Sequence, residues 1–81
     1  MVVSIEFFGI QRVVTKTGSI DVPISEKTSV IDVLEYIREQ YPALPLDDKM
    51  ILVVVNQEMA ALDTVLRAND TVSFLPSIGG G

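Results

Sequence analysis

The 81-residue chain contains no cysteine and no histidine. The first absence excludes disulfide staples and thiol chemistry. The second removes at once the commonest metal ligand and the commonest general acid–base. A catalytic site made by this chain alone would have to use carboxylates, lysines or hydroxyls, and none of these cluster along the sequence. Basic residues are also scarce. Six Lys and Arg stand against eleven Asp and Glu, giving a formal net charge of −5 and a pI near 4.3. That balance argues against nucleic acid and anionic membrane surfaces as partners and favours a partner with a basic face. Long apolar runs are missing as well. The longest, Met50 to Val55, is far too short to span a bilayer, and the opening Met1-Val2-Val3-Ser4-Ile5-Glu6 lacks the basic and apolar regions of a signal peptide. A soluble cytoplasmic protein is expected.

What is present suffices for one small folded domain: 48% of residues are hydrophobic and 21% charged. Val2 to Phe8 is rich in β-branched and aromatic residues, with Val3, Ile5 and Phe7 on one side of a strand. Ile10 to Thr17 is compatible with a loop, a short helical turn or the start of a second strand. Ile20-Asp21-Val22-Pro23-Ile24 alternates, and Pro23 marks an edge strand or a strand end. The first thirty residues read as a β-hairpin with a loose middle. A helix then opens at Ser29, where Ser29 and Asp32 have capping-box spacing; Thr28 is a rival cap. Val30, Val33, Leu34, Ile37 and Tyr41 share one 3.6-period stripe, while Asp32, Glu35, Arg38 and Glu39 face water. Pro42 ends the helix.

Met50 to Val55 has no polar alternation and reads as a central strand buried on both faces. Asn56-Gln57 is a turn, Glu58 to Ala61 a short return strand, and Leu62 to Leu66 a candidate helical turn. Ala68-Asn69-Asp70 is a tight turn in which Asn69 takes positive φ. Thr71 to Leu75 closes the sheet, with Val72 and Phe74 toward the helix and Ser73 and Leu75 the other way. The expected fold class is α+β: a β-grasp, or ubiquitin-like, mixed sheet packed on one main helix. The domain covers residues 1–75, and residues 76–81 form a flexible Gly-rich C-terminal tail.

That tail, Pro76-Ser77-Ile78-Gly79-Gly80-Gly81, is the part of the chain the body is built to present. Proline cannot donate to a sheet ladder, so Pro76 marks where the strand stops. Glycine has no Cβ, so Gly79 to Gly81 fit a slot too narrow for other residues. Fully extended, the tail reaches roughly 20 Å, far enough to bring a terminal carboxylate into another protein. A frayed, inert terminus is the alternative for glycines taken alone.

The segments Val54-Val55-Asn56-Gln57-Glu58, Leu62 to Leu66 and Asn69 to Pro76 resemble the small subunits of molybdopterin synthase, a family of ubiquitin-like sulfur carriers. The resemblance runs from Ile5-Glu6-Phe7-Phe8 through Thr28-Ser29-Val30 to Gly80-Gly81. Phe74, Leu75, Pro76, Ile78, Gly80 and Gly81 fit the family's tail. Ser77 stands where a second proline is usual, Asn69-Asp70 replaces a turn containing Gly, and Gly79 adds a third glycine, as in the related thiamine-pathway carriers.

The resemblance implies that Gly81 carries the chemistry, first as an acyl-adenylate and then as a thiocarboxylate. Phe74, Leu75, Pro76, Ile78, Gly79 and Gly80 are the implied partner-binding residues, with Phe74 assigned to the core as well. The implied partners are an adenylating enzyme resembling ubiquitin-activating enzymes, a sulfur donor protein and the synthase large subunit, which uses the sulfur to build the dithiolene of molybdopterin. The chain itself binds no cofactor and no metal, ATP being used by the activating enzyme, and it is not catalytic alone. A carrier for thiamine or another sulfur pathway, a ubiquitin-like modifier forming isopeptide bonds, and a passive β-grasp interaction domain are the alternatives. They differ in which enzyme co-purifies, in lysine conjugates, and in indifference to loss of Gly80-Gly81.

Overall fold

Alternation in Val2 to Phe8 becomes strand β1 (Val2–Glu6), whose Val3 and Ile5 are completely buried. The structure is a computed structural model in which residues 1–46 and 51–76 are described. Antiparallel to β1 runs β2 (Ser19–Pro23), in the register Val3↔Val22 and Ile5↔Ile20. Pro23 is both on a sheet edge and at a strand end, where its missing N–H costs no ladder bond.

Of the three readings of Ile10 to Thr17, the helical one holds: α1 spans Ile10–Thr15. Its β-branched residues, Ile10, Val13, Val14 and Thr15, argue for a strand locally, so the helix is imposed from outside. Gly9 enters it at φ 56°, a conformation that glycine adopts without steric cost, and Lys16 leaves it in the left-handed region at φ 62°. Gln11 and Thr15 turn inward, and Thr15 Oγ1 donates back to the Gln11 carbonyl at 2.9 Å.

The main helix, α2 (Val30–Gln40), starts at Ser29 as its spacing requires. The Asp32 carboxylate accepts the Ser29 backbone N–H at 2.9 Å. The first free amides of α2 are taken up by a later segment: Val30 N–H donates to the Thr64 carbonyl and Ile31 N–H to that of Leu62, both at 2.9 Å. Leu62 to Leu66 does hold a single turn, closed over Leu62-Asp63 by the Thr64 N–H donating to the Ala61 carbonyl at 3.1 Å, and it then runs on as a strap bridged to Ser29 through Val65, with Leu66 buried. Val30, Val33, Leu34 and Ile37 form the buried stripe, and Tyr41 packs edge-on against Phe7 at 5.9 Å. Arg38 departs from the expected water-facing set. It is half-buried, and its Nε donates to the Leu46 carbonyl at 2.9 Å, pinning the segment that carries the buried Leu44 and Leu46.

β3 (Ile51–Val55), β4 (Glu58–Ala60) and β5 (Thr71–Pro76) complete a five-stranded sheet of order β2-β1-β5-β3-β4 among the described residues. The β1–β5 pair is parallel and the others are antiparallel. This is the expected α+β, β-grasp arrangement with α2 across one face. The expectation for β3 fails in two respects. The central strand is β5, and β3 lies between it and the edge; only Val53 is buried, while Leu52 is 39% exposed. One long helix covers one face of a sheet, so an unbroken apolar run must leave its alternate residues uncovered. Met50 lies outside the described residues. The β3–β4 turn places Asn56 and Gln57 at φ 52° and 72°, and Asn69 takes φ 70° as its turn predicts.

Candidate functional site

β5 is where body and tail meet. Its alternation is as expected: Val72 and Phe74 are buried against the helix side, while Leu75 is half-buried on the opposite face. Ser73, also on that outer face, is nonetheless buried beneath its neighbours. Phe74, 2% exposed, offers a partner no ring surface; its part in the site is to anchor the strand. Leu75 pairs with Leu52 and Pro76 with Ile51. Ser77, Ile78, Gly79, Gly80 and Gly81 lie outside the described residues.

The start of β5 is clamped by a side-chain network. Asn56 Nδ2 donates to Asp70 Oδ1 at 2.8 Å, the Thr71 N–H donates to Asn56 Oδ1 at 2.9 Å, and Asp70 Oδ2 accepts the Arg67 N–H at 2.8 Å. Asn56 in the left-handed region is what aims its amide at β5. The other end of the described strand is held by Gln11, whose Nε2 donates to the Phe74 carbonyl while its Oε1 accepts the Phe8 N–H.

Beside this strand none of the described residues covers the outer face of the sheet. Glu6, Phe8, Val54, Asn56, Gln57, Thr71, Ser73 and Leu75 line an open depression of about 500 Å³. The ladder registers put Leu52 opposite Leu75, and Val54 opposite both Ser73 and Met59, so these side chains share the face. Phe8 is 47% exposed, Leu52 39% and Met59 72%, so this face carries exposed apolar surface from the end of β1 across to β4. The depression has no acid–base pair at its centre, and among the described residues no group of His, Cys, Asp or Glu is placed to hold a metal ion. None of the described helices is long and apolar enough to cross a membrane. The arrangement can bind an apolar protein surface and present a chain end.

Leu75 and Pro76 are thus the expected site residues found at the depression and the strand end. Phe8, Leu52, Val54, Met59 and Gln11 were missed by sequence reasoning. The first three carried a signal: Phe7-Phe8 puts one ring on each face, and a chain with one long helix cannot cover both sides of the all-apolar strand that holds Leu52 and Val54. Gln11 carried none, because the segment around it had no assigned conformation.

Comparison with known proteins agrees with this geometry. The ThiS family pattern matches residues 5–81. The molybdopterin synthase sulfur carrier subunit of Mycobacterium tuberculosis is 30% identical over 80 residues, covering 98% of this chain and 96% of the relative. SAMP1 from Haloferax volcanii superposes with a TM-score of 0.82 at 25% identity, covering both chains completely. A structure of the complex of subunits 1 and 2 of the Helicobacter pylori molybdopterin-converting factor also contains this fold. There the TM-score is 0.66 at 23% identity, again with full coverage of both chains.

Proposed function

Because this chain belongs to the ThiS family, we propose that it is the sulfur-carrier subunit of a molybdopterin synthase, acting through its C-terminal glycine. One observation carries the reading: a strand fixed at both ends passes beside an open, partly apolar depression and leads toward the Gly79-Gly80-Gly81 sequence, while among the described residues no group of His, Cys, Asp or Glu is placed to hold a metal ion. A protein so built acts by what is attached to its end. Its likeness over 98% of its length to a molybdopterin synthase sulfur carrier subunit supplies the pathway.

In this reading a partner enzyme uses ATP to convert the Gly81 carboxylate into an acyl-adenylate, releasing pyrophosphate. The terminal sulfur of a persulfide on a sulfur donor protein then attacks the activated carbonyl and AMP leaves. A second thiol of the donor cleaves the S–S bond of the resulting acyl disulfide, becoming a disulfide itself, so that Gly81 is left with one carboxylate oxygen exchanged for sulfur. Gly79 and Gly80 thread the partner's channel, where a side chain would collide with its walls. The body docks through Phe8, Leu52, Met59 and Leu75, and that contact orients the tail toward the reacting site. The synthase large subunit then receives the thiocarboxylate; the subunit 1 and 2 complex of the Helicobacter pylori factor, with the same fold, is the precedent for such a pairing.

The test is the intact mass after incubation with ATP, an activating enzyme and a sulfur donor. One oxygen-to-sulfur exchange localised to Gly81 is expected, and an unchanged mass with a competent activating enzyme would overturn the proposal. The likeness to SAMP1, a small archaeal modifier protein, favours a second reading in which the activated glycine is joined to lysines. Lysine conjugates of this chain in cells would support that reading.

A further inference from the structure

The parallel β1–β5 ladder ends at the pair Glu6↔Ser73, because β1 itself ends at Glu6. β5 nevertheless continues to Pro76, paired there with β3 alone. Beyond Ser73 no strand among the described residues lies beside its other edge, and this is the stretch that precedes the Gly-rich sequence. A backbone group left unpaired here while shielded from water would cost as much as a lost hydrogen bond. The Gln11 carboxamide stands in the gap. It is 4% exposed, its Nε2 donates to the Phe74 carbonyl across 63 residues of sequence, and its Oε1 accepts the Phe8 N–H at 3.2 Å. The donor end of the amide thereby supplies toward β5 what another residue of β1 would have offered, while the acceptor end ties the side chain to the Phe8 N–H just past the end of β1. α1 is the device that places it. Gly9 at φ 56° turns the chain inward after Phe8, and the Thr15 hydroxyl bonds the Gln11 carbonyl, fixing the turn from which the side chain projects.

We propose that Gln11 is a tail-positioning residue: its buried carboxamide extends the sheet past the end of β1 and sets the direction in which β5 delivers the C-terminal tail to the activating enzyme. The inference rests on the sulfur-carrier reading for its functional consequence, but its structural half stands without it. Gln11 touches no reacting atom. Its effect therefore falls on productive engagement of the tail, not on the chemical step.

The test uses the full chain with Gln11→Glu and Gln11→Leu. At neutral pH the carboxylate introduced by Gln11→Glu has no proton to donate and turns lone pairs toward the Phe74 carbonyl. On acidification it becomes a carboxylic acid and regains the donor. In adenylation by the activating enzyme, each variant at neutral pH is expected to raise KM for the carrier by about three- to tenfold, the range of one hydrogen bond, with kcat unchanged. Relative to wild type at the same pH, the Gln11→Glu defect shrinks on acidification. Amide hydrogen exchange across Ser73 to Leu75 accelerates in both variants at neutral pH and recovers on acidification in Gln11→Glu, while exchange in α2 is unchanged. An unaltered KM in a folded variant, or exchange that rises equally throughout the molecule, would overturn the proposal. If Gln11→Leu does not fold, the two pH values of Gln11→Glu decide. If neither variant folds, slow exchange of the wild-type Gln11 side-chain amide protons supports the bond and free exchange refutes it. Wild-type protein that is never adenylated sinks the carrier reading instead, and leaves the exchange data to judge the structural half.

Discussion

Phe74 and Leu75 are adjacent in β5, yet the first is 2% exposed beneath the helix side while the second lies half-exposed beside an open depression. The same split runs across the sheet. On one face Val3, Ile5, Val53, Val72 and Phe74 are packed with Val33, Leu34 and Ile37 of α2. On the other, Phe8, Leu52 and Met59 remain uncovered, although they are no less apolar. Composition does not distinguish the faces; cover does. A single long helix seals one side, and burial on the other becomes available only when a second protein arrives. The inner face therefore holds stability, and in the proposed reading the outer face is the one left to recognition.

The largest expected effect separates the tail from both faces. Deleting Gly81 should abolish sulfur loading, read by intact mass, while the thermal unfolding midpoint stays that of wild type; an active deletion would break the carrier reading. Next is Phe74→Ala, which should cost about 3–5 kcal/mol of stability through the cavity it opens, measured by denaturant titration. In a domain whose total stability is on the order of 5–15 kcal/mol, that places it near unfolding. Met59→Asp is the matched change on the other face. Its stability should stay within about 0.5 kcal/mol of wild type, as is usual for exposed positions. Binding to the activating enzyme or large subunit should weaken about tenfold or more, because a charge is carried into an apolar contact. Equal loss of stability in the two variants would erase the distinction between the faces.

The smallest effect concerns the turn that clamps β5. Gln57 sits at φ 72°, where a side chain costs about 1–2 kcal/mol and glycine costs nothing sterically. Against that, glycine loses about 0.5–1 kcal/mol more backbone entropy on folding. Gln57→Gly should therefore stabilise the protein by about 0.5–1 kcal/mol, a rise of a few degrees in Tm for a domain of this size. Lower stability would mean that the side chain makes a favourable contact outweighing its backbone strain.

Elements with strong local signals were legible in the sequence. β1 and β5 alternate, α2 has a capping pair and a stripe at helical spacing, and Asn69 occupies a turn only a few residue types tolerate. α1 was not legible, because β-branched residues at Ile10, Val13, Val14 and Thr15 speak for a strand, while packing and the Gly9 turn impose a helix. The turn at Leu62-Asp63 was legible, but not its role: the Leu62 and Thr64 carbonyls cap α2, a long-range pairing that periodicity cannot register. Leu75 and Pro76 were found from the tail motif. The apolar residues Phe8, Leu52 and Met59 that share their face come from three separate segments and are brought onto one face only by the sheet.

By itself, the sequence determined that the protein has no thiol or imidazole chemistry, carries net negative charge, folds through one long amphipathic helix and ends in a Gly-rich tail. Those properties follow from residue type and short-range spacing. Tertiary structure alone decided which strand is central, which apolar residues are left uncovered, and that a glutamine far away in sequence holds the last strand where its parallel neighbour ends. The physical reason is that burial and ladder pairing belong to the order of strands in the sheet. That order is set by contacts between segments dozens of residues apart, which no local pattern records.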